Sequence, residues 1–146
     1  MSRHLCAALI GLLTLGGSAF AHHSFAGQFD NSIAVSPHGV VTSVEMVNPH
    51  SFIFIETRTN DVVERWALEG PGPLQVKRRG LDPAFIKVGD ELGACGYLTK
   101  AGVPATMREP ASSKPARILQ AAVLDRPGAE KLVWNNYRQE KCGLDK

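Results

Sequence analysis

The stretch "VVTSVEMVNPHSFIFIETRTNDVVERWALEG", Val40 to Gly70, decides the fold. Its first eight residues are rich in β-branched side chains. They place Val40, Val44 and Met46 on one face and Val41 and Val47 on the other, which is the period of a strand. Pro49 has no amide hydrogen to donate and turns Asn48 away from helical backbone, so a turn falls there. "SFIFIETR" then reads as a second strand, nearly continuous in apolar residues from Phe52 to Ile55. "TND" is a short hairpin turn into a third strand, in which Val62, Glu64, Trp66 and Leu68 alternate with Val63, Arg65, Ala67 and Glu69.

Downstream, "PGPLQVKRRG" has prolines at its start and Gly80 at its end, the marks of one short helix, with Lys77 to Arg79 as its solvated basic cap. "FIKVGDELGACGYLT" carries a Gly89-Asp90 turn and a fourth strand from Glu91 to Thr99, where the small Gly93, Ala94 and Gly96 imply close packing or a bulge. Lys100 to Pro115 holds three prolines and little periodicity, and reads as a long loop. "ARILQAAVL" is a fifth strand. "KLVW", after the Pro127-Gly128 turn, either pairs with it or begins a short tail helix. Three strands, a helix and two strands is the order of an OB-type barrel, so the expected fold is mostly β: a five-stranded OB-like barrel with Trp66 and Val44 inside. The competing arrangement of the same elements is a small antiparallel sheet with one helix across it.

Upstream of this domain, Arg3, the apolar run "AALIGLLTLGG" and the small residues Ala19 and Ala21 have the layout of a secretory signal peptide, too short in its apolar part to span a bilayer. The expected organisation is a signal peptide over residues 1–21, an irregular leader over 22–37, the β-domain over 38–126 and a tail over 127–146. The processed chain is expected to be soluble and exported, periplasmic or secreted. Cys6 falls in the signal and has no lipobox around it. Of the 16 lysines and arginines only Arg3 would be removed, so the processed chain stays near neutrality against 14 acidic residues. Its basic residues are dispersed, which argues against a nucleic-acid partner. An oxidising compartment permits Cys95 and Cys142 to pair. Equally, Cys95 reads as a small buried strand residue and Cys142 as a tail thiol.

Three segments carry a resemblance: "AHHSFAGQFD", "GVVTSVEMVNPHSFIFIE", and the run from Trp66 through "RRG" to "VGDELGACGYLTKAG". They resemble a family of small exported bacterial proteins known as a domain of unknown function, whose processed chains open with His-His-Ser-Phe and carry Val-Asn-Pro-His. The chain departs from that pattern at Met46 and Leu81, where tryptophan is common, and in the Pro-containing loop after Gly102. The resemblance implies an exported β-domain and brings no established activity with it.

Candidate chemistry lies in the histidines His22, His23, His38 and His50. Cleavage after Ala21 would make His22 the first residue. Its α-amino nitrogen and Nδ1 can then chelate one ion in a six-membered ring, and a further imidazole completes a planar set of three nitrogens, the geometry copper(II) prefers. His50 is the main candidate for that third donor. The leader is long enough to fold back along the barrel to it, and His23 and His38 are the alternatives. Each also has an ordinary reading, His22 and His23 as a solvated chain end and His50 as a turn residue bonded to backbone.

Enzymatic readings are weaker. Ser24 and Ser51 adjoin histidines without a nucleophile-elbow context, and phosphate loops and Cys-x-x-Cys motifs are missing. A copper-dependent oxidative enzyme is left without a substrate. The expectation is therefore an exported β-barrel that binds copper, its enzymatic status left open, with an OB-type small-ligand or protein-binding module lacking metal as the alternative.

Overall fold

The computed structural model describes residues 25–82, 84–100, 117–136 and 139–143. The three strands and two turns read between Val40 and Gly70 are present. Strands β1 (His38–Met46), β2 (His50–Thr59) and β3 (Val62–Pro71) form a continuous antiparallel meander. The β2–β3 turn is two residues long, with Asn60 and Asp61 both at positive φ (47° and 65°). That backbone matches the right-handed twist of a hairpin, and side chains of the Asn/Asp type tolerate it. The turn fixes the register from Thr59 opposite Val62 back to His50 opposite Pro71. Between β1 and β2 the chain turns through Asn48 and Pro49, joined by a cis peptide bond.

Strand β4 (Glu91–Leu98) pairs with the start of β1, and β5 (Arg117–Asp125) pairs antiparallel with β4 and parallel with β3. The β3–β5 contact closes a mixed five-stranded barrel of OB type. "KLVW" resolves as a short sixth strand, β6 (Leu132–Val133), on the stretch of β5 beyond β3. The expected helix lies over Pro73–Arg78. A one-turn helix, Phe25–Gln28, precedes it in the leader, so the two are α1 (Phe25–Gln28) and α2 (Pro73–Arg78).

Two bulges adjust the pattern. One between Val41 and Ser43 shifts the alternation of β1. Val41 is therefore buried inside with Val44 and Met46 packed beside it, while Val40, expected on the Val44 face, is exposed. The other falls between Cys95 and Gly96, among the small residues that anticipated it. The core is centred on Ile53, Trp66, Leu68, Leu119 and Trp134, and α2 seats its single buried residue, Val76, in it. Trp66 is buried under the Arg117 guanidinium, 4.3 Å from the ring centre. Arg79 is more than a solvated cap. Its Nη1 donates to the Trp134 carbonyl at 2.7 Å, tying the helix end to the residue that follows β6.

Cys95 and Cys142 are joined as a disulfide, which fastens a 3-10 turn (Gln139–Cys142) to β4. No helix among the described residues is long and apolar enough to cross a membrane.

Candidate functional site

In the β-meander, inward residues such as Ile53, Ile55, Trp66 and Leu68 leave their neighbours to the opposite face. On that face Phe52, Phe54 and Ala67 make a second buried cluster, with Ile118 packed against it. Directly paired residues point the same way across a sheet. The register sets one row across four strands: Phe52 on β2, Glu69 on β3, Gln120 on β5 and Tyr97 on β4. All four are buried.

Glu69 is a carboxylate with only 2% of its side chain exposed, and it bonds Nδ1 of His50, which is 47% exposed. The hairpin register explains the contact, since His50 lies two residues before Phe52, on the same face and diagonal to Glu69. A carboxylate only accepts, so the proton of this bond sits on His50 Nδ1 and the lone pair of the neutral ring is at Nε2. The bond to Glu69 raises the pKa of His50 above the ordinary histidine value, with the carboxylate's charge adding to it and partial burial opposing it.

The leader returns to the same row. It runs antiparallel beside β4, with Val35 bridging to Gly96 and Phe29 to Thr99. Asp30 donates to the Leu98 carbonyl at 2.8 Å, and Lys100 bonds both the Gln28 carbonyl and, through Nζ, that of Ala26. At its start, the Phe25 ring meets Tyr97 edge-on at 5.6 Å and stacks on Phe29 at 5.3 Å. The leader thus reaches the level of the Tyr97–Gln120–Glu69 row, two strands away from the carboxylate that holds His50.

His38 lies at the far end of β1 from the turn into His50, opposite Gly93. Eight residues of strand, about 26 Å at 3.3 Å each, separate it from the Met46–Ser51 pair, so it does not join His50. His22 and His23 lie outside the described residues. Among the described residues, no three His, Cys, Asp or Glu side chains are grouped to hold a metal. Glu69 is the residue of this candidate site that sequence reading missed. A count outward from the Asn60-Asp61 turn would have placed it diagonal to His50.

Fold and site define a small OB-like β-barrel whose outward face buries a carboxylate bonded to a half-exposed imidazole. Residues 9–108 match DUF6152, a family of unknown function, and the chain belongs to that family. A small single-stranded DNA-binding protein from Streptomyces coelicolor is similar in structure, with a TM-score of 0.41 and 16% identity over 66% of this chain and 94% of that one. No curated protein matches the sequence.

Proposed function

We propose that this is an exported protein that binds copper(II) through the amino group and imidazole of a processed N-terminal His22, with His50 Nε2 as third nitrogen donor. The observation that carries the reading is the bond between His50 and the buried Glu69. Metal-binding histidines characteristically give their second ring N–H to a carboxylate, which fixes the tautomer and ring orientation and makes the free nitrogen a better donor. A turn histidine of merely structural role needs no buried carboxylate behind it.

Reach supports the same ligand set. Tyr97 and Glu69 stand two strands apart, about 10 Å at 4.7–4.9 Å per strand. Phe25 packs on Tyr97, and the three residues from Phe25 back to His22 span at most about 10 Å. Three residues of chain beyond Phe25 are therefore long enough for His22 to come within range of His50. His23, adjacent to His22, is the alternative donor; His38 is too distant to share an ion with His50. Three nitrogens around copper(II) suit its tetragonal preference and leave positions for water or a small ligand.

The role proposed is copper binding or handling rather than catalysis. The experiment is a copper titration of protein recovered after export, with intact mass establishing a chain that begins at His22. One copper(II) per chain with a nitrogen-dominated tetragonal electron paramagnetic resonance spectrum is expected, and His50→Ala should weaken it clearly. Binding should fade below about pH 6.5 as protons compete for the nitrogens. Absence of stoichiometric binding, or indifference to His50→Ala, would leave the OB-type ligand module as the better account.

A further inference from the structure

We propose that the Cys95–Cys142 disulfide is an exchangeable clamp on the leader, opened by a dithiol protein, so that its redox state governs how firmly the N-terminal ligands are presented. The inference rests on the copper reading for its consequence, and on separate geometry for its mechanism.

The clamp is visible in three contacts. Lys141, one residue before Cys142, donates from Nζ to the Asn31 carbonyl at 3.0 Å and the Ser32 carbonyl at 2.9 Å. Ala34 packs against the cluster that contains Cys142, Ala122 and Val123. Val35 exchanges backbone bonds with Gly96, the neighbour of Cys95, at 2.9 and 3.1 Å. Asn31 to Val35 is thus held between the 3-10 turn and β4, and the disulfide fastens the turn to the strand. Besides the disulfide, the turn's described ties are its packing on β4 and β5 and the lysine bonds to the leader.

The same disulfide borders a cleft, with Cys95 half-buried and Cys142 buried, so Cys95 offers the sulfur open to attack. Both cysteines line a cleft of about 230 Å³ together with His38, Asp125, Lys131 and Lys141. Two lysines line this cleft, and a positively charged setting favours the thiolate that leaves in exchange. Asp125 opposes this, as the one carboxylate of the cleft against two lysines. In the step, a thiolate of the dithiol partner attacks one sulfur of the pair, the Cys95–Cys142 bond breaks, and the other sulfur leaves as a thiolate. The partner's second thiol then displaces the mixed disulfide. Two electrons and two protons pass to Cys95 and Cys142, and the partner becomes a disulfide.

Once the turn is free, Lys141 no longer positions Asn31 and Ser32, and the N-terminal ligands lose preorganisation. The test uses the full processed chain. Dithiothreitol is applied without denaturant, thiols are trapped and counted by mass, and amide hydrogen exchange is followed at Val35. Reduction under these native conditions with a fall in Val35 protection is expected. Copper is titrated separately into the Cys95→Ser/Cys142→Ser protein, which has no thiols to bind it, and affinity should fall about tenfold, the cost of re-ordering one or two side chains. Lys141→Met, which keeps the disulfide, should move protection and affinity the same way by less. A disulfide that yields only in denaturant, or unchanged Val35 protection after reduction, overturns the clamp whatever the copper titration shows. Wild-type protein that binds no copper while Val35 is released on reduction overturns the copper reading and leaves the clamp supported.

Discussion

The two faces of the β2–β3 hairpin solve different problems with the same alternating strands. Toward the barrel, Ile53, Ile55 and Leu68 are wholly buried among apolar neighbours, and tryptophans fill the remaining volume. On the opposite face, two residues from the equally buried Phe54, stands Phe52, and beside it a carboxylate is withdrawn from water and bonded to an imidazole. Withdrawing Glu69 from water costs free energy that a hydrophobic residue would not have cost, so the inward face reads as stability and the outward face as chemistry. Substitutions should separate them.

The largest effects belong to the inward face. Trp66→Ala should destabilise the fold by about 3–5 kcal/mol, the range for emptying a buried indole, measured by denaturant unfolding. Gly70→Ala should be nearly as severe, about 3 kcal/mol, because a Cβ there would overlap the Trp134 indole nitrogen and force a buried ring aside. Neither should alter the copper affinity of the folded fraction. If either did, the two faces would not be separable.

Glu69→Gln inverts the pattern. The amide keeps the shape and can still accept from His50 Nδ1, so stability should change little, but the neutral group no longer raises ring basicity. Copper affinity should fall by about tenfold or more, the usual loss when a ligand's carboxylate partner is removed. A large stability loss with unchanged affinity would make Glu69 a structural residue.

The smallest effect is on pH dependence without metal. Because the bond to Glu69 raises the pKa of His50 above its ordinary value, the protonated pair stabilises the fold fully below about pH 6.5, the unfolded-chain value. That contribution is lost as pH rises through the raised folded value. Thermal unfolding of metal-free wild type and His50→Gln should therefore differ most near pH 6 and least at pH 9. The half-exposed ring keeps the difference small. The opposite trend would mean that His50 is stabilised in its neutral form.

What could be read in the sequence divides along the same line. Strand order, the Asn60-Asp61 hairpin, the helix over Pro73–Arg78 and the burial of Trp66 follow from alternation and turn chemistry, which are local. The bulge near Thr42 was not legible, because one extra residue leaves no compositional trace, and it moved Val40 to the surface. Glu69 looked like an ordinary polar position in "WALEG". Its significance depends on a partner 19 residues away and on a register that only pairing with β2 supplies. The disulfide stayed open for a similar reason, since 47 residues separate Cys95 from Cys142 and nothing in their spacing shows that the tail returns to β4.

The most direct test of the copper proposal alters neither face. Protein beginning at His22 is compared with protein carrying one added alanine before His22, both titrated with copper(II) and examined by electron paramagnetic resonance. The extension keeps every imidazole and removes only the amino nitrogen from its six-membered chelate ring with Nδ1. The account predicts at least a tenfold loss of affinity, about 1.4 kcal/mol, and a changed nitrogen hyperfine pattern. Equal affinity and identical spectra from the two chains would contradict it and reduce His22 and His23 to a polar chain end.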